Sequence, residues 1–132
     1  LVALPKAELY DMDRFFYAPY RKDTVLGAIA DEGTEDDYDT MYAILDAFVE
    51  RSARLTASII AACVIKSGAG TSPSKPVCVL CNGTTFYKTH NLQQRLRGYL
   101  NTVLTEQRHL YFEIVSVEND ITLGTAIAAL SH

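Results

Sequence analysis

Apolar positions recur along this chain at two periods, and the alternation of those periods divides it into elements. From Thr34 to about Lys66, Met41, Ile44, Leu45, Phe48, Ser52, Leu55, Ile59, Ile60 and Cys63 return every three or four residues. That spacing predicts one long helix of roughly 45 Å at ~1.5 Å per residue. Thr34 stands where it can cap the first free amides, and Glu35, Asp36 and Asp37 set negative charge against the positive end of the helix dipole. The stretch from Ala57 to Ile65 is small or apolar on every side, so this half of the helix is expected to be buried on most faces. Turn residues from Ser67 to Pro76 end it.

Val77 to Cys81 then reads as a short apolar strand. Leu92, Leu96, Tyr99, Leu100, Val103 and Leu104 predict an amphipathic helix from about Asn91 to Glu106, with Asn91 and Gln94 as a capping pair. His109 to Val117 alternates and predicts a second strand. Ile121 to Leu130 reads as a closing helix whose Gly124, Ala126, Ala128 and Ala129 allow tight packing. Ahead of the long helix, the pattern predicts short helices over Lys6 to Phe16 and Asp23 to Asp31, with Tyr10, Phe15, Phe16, Tyr17 and Tyr20 packing against a neighbouring surface. The order helix, strand, helix, strand, helix implies parallel strands joined by right-handed crossovers, an α/β arrangement.

The chemistry concentrates where the first strand stops, at Asn82-Gly83-Thr84-Thr85. Open α/β sheets bind ligands at the carboxyl ends of their strands, and a glycine there lets a ligand approach the backbone while two threonine hydroxyls offer donors and acceptors. Two local conformations compete after Asn82. Asn-Gly between apolar runs is a hairpin signal that would set Cys81 opposite Thr84, whereas a helical turn would lead on into the Asn91 helix.

Composition narrows the function classes. With 132 residues, 48% hydrophobic and 21% charged, the chain is long enough for one core, and one domain is the natural reading. A net charge of −4 argues against a polyanion-binding surface, so no nucleic-acid partner is expected. No apolar run reaches the length of a membrane span, and Leu1 to Lys6 lacks a charged leader followed by an apolar core. A cytoplasmic location without membrane contact is the expectation. The start at Leu1-Val2-Ala3 rather than Met points to a piece of a longer polypeptide.

Other candidate chemistry is weaker. Cys78 and Cys81 form a C-x-x-C, but three residues apart on a strand they face opposite sides, so with Cys63 they are expected as small buried thiols. The acidic run from Asp31 to Asp39 lacks the alternating pattern and terminal Glu of a calcium loop and is better explained as a helix start. The Gly68-Ala69-Gly70 loop is no phosphate loop, since no Gly-Lys-Ser/Thr follows. His90, His109 and His132 have no Ser, Cys or metal-ligand spacing and are expected to be solvated or capping. Arg51 is expected as a structural ion-pair partner.

Three separated blocks, Arg51-Ser52-Ala53, Val79 to Lys88, and Ser116 to Asp120 through Gly124-Thr125-Ala126, together resemble the carboxyl-terminal part of the hexokinase family. Arg51-Ser52-Ala53 on the long helix is similar to that family's R-[SA]-A helix between two lobes. Val79 to Lys88 resembles its strand ending V-x-x-D-G-[ST]-x-Y-K, and Ser116 to Asp120 through Gly124-Thr125-Ala126 resembles its S-E-D-G-S-G-K-G-A-A segment. Asn82 stands where the family has Asp, one extra residue separates Gly83 from Tyr87-Lys88, and the last block lacks the Gly-Ser-Gly-Lys run.

The resemblance implies an α/β, ribonuclease H-like (actin-like ATPase) half-domain with a small sheet, a long interlobe helix and flanking helices. Residues 1–132 would be the carboxyl-terminal portion of a hexokinase-like domain, with 1–33 a helical preface and 34–132 the long helix plus the nucleotide-binding part. It ends the strand at Gly83 with a helical turn rather than a hairpin. It assigns Gly83, Thr84 and Thr85 to ATP on the adenosine side, with Glu118, Asn119 and Asp120 as neighbours. The implied reaction is phosphorylation of glucose or a similar hexose at its primary hydroxyl, with ATP and Mg²⁺ bound mainly by an upstream part of the same polypeptide. The catalytic residues lie in that upstream part, so this portion alone is expected to be inactive. The alternatives are a nucleotide-sensing or interaction module of the same superfold, without transfer chemistry, or another sugar or acid kinase.

Overall fold

Local capping sets where the helices begin. In the computed structural model, which describes residues 6–115, α1 (Leu9–Tyr17) starts where the Asp11 carboxylate accepts the Glu8 amide at 2.9 Å. The helix α2 (Val25–Asp31) starts where the buried Thr24 hydroxyl accepts the Gly27 amide at 3.1 Å and donates to the Arg21 carbonyl at 2.9 Å. Each begins slightly later than its sequence pattern, because the cap fixes the first turn and not the apolar spacing.

The long helix is present as α3 (Glu35–Ser67), 33 residues in one piece. Asp37 turns back on Thr34, accepting its amide at 2.7 Å and its hydroxyl at 2.8 Å, and these bonds hold the Asp37 carboxyl below the usual carboxylate range. At the other end Gly68 takes a left-handed conformation with φ of 66°, which stops the helix with its amide on the Ile65 carbonyl.

Strands β1 (Val77–Leu80) and β2 (Phe112–Val115) pair in parallel, with Val77 opposite Phe112 and Leu80 opposite Val115. The pairing extends at both ends, through the Val77 amide on the Tyr111 carbonyl at 2.8 Å and the Cys81 amide on the Val115 carbonyl at 3.0 Å. Between the strands lie α4 (Thr84–Lys88), α5 (Leu92–Leu100) and a π-helical continuation over Asn101–Glu106. Asn82-Gly83 is therefore no hairpin turn. The apolar face of α5 must reach α3, which only a crossover connection permits.

One core joins these pieces. Leu96, Leu100 and Leu104 are fully buried against Ala57, Ala61 and Val64 of α3 and Ile114 of β2. Four residues advance an α-helix by one turn plus about 40°. The widened π turn winds more slowly and returns Leu104 to the face that carries Leu96 and Leu100. The alanines of α3 keep the opposing surface low, so α5 can lie close to it.

Several expectations are corrected. Only the Ala57, Ala61 and Val64 stripe of the later α3 is buried; Ile59 is 66% exposed, and Ile65 and Cys63 are exposed too. Among the described residues α5 and its π-helical continuation, with Ile114 of β2, cover one side of this half of α3, and uniform apolarity does not summon a second cover. Cys78 is likewise exposed and Cys81 half-buried, on opposite strand faces as the two-residue period requires. Asn91 precedes α5 with φ of 54° and no side-chain cap, so no Asn91–Gln94 pair forms; its side-chain amide instead lies 2.8 Å from His90 Nε2. Among the described residues Arg51 makes no ion pair. Arg54 bridges to Glu50 at 2.7 Å, and Arg95 reaches Asp46 at 2.5 Å and Glu50 at 3.3 Å, tying α3 to α5. The expected closing segment, with Glu118, Asn119, Asp120 and the helix over 121–130, lies outside the described residues. No helix among the described residues is long and apolar enough to cross a membrane.

Candidate functional site

The strand β1 ends in a bare backbone corner. Gly83 sits at φ 108° and ψ 145°, and among the described residues nothing lies within 4 Å of the place a Cβ would occupy. The corner is tied from both sides, since the Gly83 amide donates to Asn82 Oδ1 at 2.7 Å and the Tyr87 hydroxyl donates to the Cys81 carbonyl at 2.9 Å. The second bond folds α4 back over the strand end. Thr84 and Thr85 are thereby carried to the start of α4, facing α1.

A cavity of about 260 Å³ opens between those two helices, lined by Leu9, Tyr10 and Asp13 of α1 and by Thr84, Thr85, Lys88 and Thr89. Thr85 also borders a cavity of about 350 Å³ that runs past Cys81 and Asn82 toward Leu96. The structure thus brings Thr84 and Thr85 together with α1, while Gly83 forms the exposed corner beside them. The first cavity offers an aromatic ring, three threonine hydroxyls, one carboxylate and one ammonium group. Such a set suits a flat ring carrying polar substituents, with a single cation for any negative charge.

Charge around the cavity is held in place. The Asp13 carboxylate accepts the His90 amide at 2.9 Å. The Arg14 guanidinium lies over the Tyr10 ring at 5.4 Å and 3.9 Å from Asp23. Burial pushes the Cys81 thiol up, against a smaller opposing effect of Arg97, so it stays protonated and is a poor nucleophile. Among the described residues no group of three His, Cys, Asp or Glu is placed to hold a metal ion.

Sequence reasoning finds the corner and its threonines but misses the opposite wall. Tyr10 and Asp13 share a helical face at i, i+3, yet nothing local says that this face meets residues 84–89. Local sequence marks Tyr87 only as part of a motif and His90 as solvated or capping. In the structure His90 is half-buried, with its ring 5.0 Å from Phe16 and 5.1 Å from Tyr17.

A family model described as hexokinase matches residues 12–131, taking in α1 from Met12, the whole of α3, the Gly83 corner and both strands. The chain belongs to the hexokinase family. Comparison with curated proteins and with solved structures returns no significant match. For this hexokinase-family chain the matched range begins inside α1, so it takes in the wall formed by Thr84, Thr85, Lys88 and Thr89 and, on α1, Asp13, while Leu9 and Tyr10 precede it. Among the described residues the architecture is mostly helical with a small two-stranded parallel sheet, compatible with an α/β fold.

Proposed function

We propose that this chain is the carboxyl-terminal part of a cytoplasmic, ATP-dependent hexokinase of the actin-like, ribonuclease H-related fold, and that it supplies the adenosine side of the ATP site. The observation that carries this reading is the cavity joining Thr84 and Thr85, at the end of a parallel strand, to the Tyr10 and Asp13 face of α1, within a chain of the hexokinase family. The hydroxyls and the carboxylate suit ribose hydroxyls, and the Tyr10 and Leu9 surfaces suit a purine face. Gly83 lets the ligand approach main chain directly. Glu118, Asn119 and Asp120 are assigned as further neighbours of the adenosine.

Phosphoryl transfer also requires a phosphate clamp, a divalent cation and a carboxylate that takes the proton from the sugar hydroxyl. The described residues do not fit Mg²⁺, and Lys88 is the single cation lining the cavity. Those parts are assigned to upstream residues of the same polypeptide, which also hold the hexose. What this chain contributes is binding and orientation. Closure of an upstream lobe over the cavity excludes water, so the polar contacts act in a lower dielectric.

The test is a coupled assay of the complete polypeptide with ATP, Mg²⁺ and a panel of hexoses. ATP-dependent phosphorylation of glucose or a similar hexose is expected, and Thr85→Ala should raise the KM for ATP by about 3- to 10-fold while leaving the KM for hexose near its wild-type value. Absence of transfer to every hexose would remove the kinase reading. ATP binding without transfer would favour a nucleotide-sensing module instead.

A further inference from the structure

The ring of His90 is placed as a wedge between α1 and the turn that leads into α5. It lies parallel to Phe16, at 5.0 Å between centroids and 18°, and edge-on to Tyr17 at 5.1 Å and 87°. Phe16 in turn meets Tyr42 of α3 at 5.1 Å, so the stack runs from the turn through α1 to the long helix. The ring's Nδ1 is sealed from solvent and has no hydrogen-bond partner among the described residues. Leaving a polar atom in that state is unfavourable, so the ring's packing must outweigh its polar loss.

The wedge sits beside the cavity. His90 follows Thr89, which lines one wall, and its amide donates to Asp13 of the other wall at 2.9 Å. We infer that His90 is a positioning residue that clasps α1 to the α4 end and thereby sets the width of the cavity and the aim of the Asp13 carboxylate. This rests on the reading of the cavity as the adenosine site. The His90 side chain does not line the cavity, so it acts through Asp13, Phe16 and Tyr17. Loss of the ring lets α1 swing away, which weakens the grip on the nucleotide without touching the reacting atoms.

The test measures steady-state kinetics of the complete polypeptide at saturating hexose. His90→Gln removes both ring faces and is expected to raise the KM for ATP about 5- to 10-fold with kcat within about twofold. His90→Phe keeps the faces and is expected to restore the KM to within about twofold of wild type. Tyr17→Ala guards against a folding defect, because Tyr17 is 70% exposed and outside the cavity; it should raise the same KM about 2- to 3-fold. A wild-type KM in folded His90→Gln or in Tyr17→Ala, or equal impairment in His90→Phe and His90→Gln, overturns the clasp. Failure of the adenosine reading is distinguishable, since Thr85→Ala, which alters the cavity lining itself, would then also leave the KM for ATP at its wild-type value.

Discussion

Substituting Gly83 by Ala tests the geometry on which the candidate site rests. At φ 108° and ψ 145° a residue with a Cβ is strained, because that carbon crowds its own backbone, and such regions carry about 1–3 kcal/mol per residue. Among the described residues nothing lies within 4 Å of the new carbon, so none of them adds a clash or an offsetting contact. Gly98 provides the control. A Cβ added there also meets open space, but Gly98 lies inside α5 in ordinary helical conformation, where Ala is favoured over Gly by about 0.5–1 kcal/mol.

The same chemical change is therefore expected to act with opposite sign at the strand corner and in the helix that follows it. Urea unfolding followed by circular dichroism reads both. With a slope of about 2 kcal/mol per M, Gly83→Ala should lower the midpoint by about 0.5–1.5 M and Gly98→Ala should raise it by about 0.25–0.5 M. An unchanged or raised midpoint for Gly83→Ala refutes the reasoning, since the corner would then not hold the positive-φ geometry that bares its backbone.

Two further outcomes follow from the core and the ion pairs. Leu100→Ala should cost about 3–5 kcal/mol, because Leu100 is fully buried and the facing Ala57 and Ala61 are too small to refill the hole, whereas Ile59→Ala, at 66% exposure, should stay within about 0.5 kcal/mol; similar losses in the two would be incompatible with the described packing. The Tyr99 hydroxyl, and after it Arg54, hold the Glu50 carboxyl below the usual carboxylate range. A depressed folded-state pKa stabilises fully above the unfolded value near 4.3 and is lost as pH falls through the folded value, so Glu50→Gln should flatten the loss of stability between about pH 5 and 3. Parallel pH profiles for wild type and variant would show that the Glu50 cluster is not formed.

Family membership and site geometry bear on each other through α1. The family match takes in Asp13 and the residues that follow the Gly83 corner, and the cavity is the place where Asp13 meets Thr84 and Thr85. The His90 wedge adds a reason for the meeting to persist, since it joins a turn after α4 to α1 through stacked rings rather than through exposed ion pairs, which contribute little when solvated.

What the residues alone determined was local. The three-and-four spacing from Met41 to Cys63, the acidic start at Glu35 and the stop at Gly68 specified α3 almost to its ends, because periodicity, capping and chain reversal act within a few residues. The apolar run at Val77 and the Asn82-Gly83-Thr84-Thr85 block likewise located the strand and its corner. Three things were decided only in the folded chain: the exposure of Ile59 and Cys63, the placing of Tyr10 and Asp13 beside Thr85, and the packing of His90 against Phe16 and Tyr17. Each depends on which surface faces which across long stretches of chain, and burial is conferred by a partner surface, not by the apolar residue that waits for one.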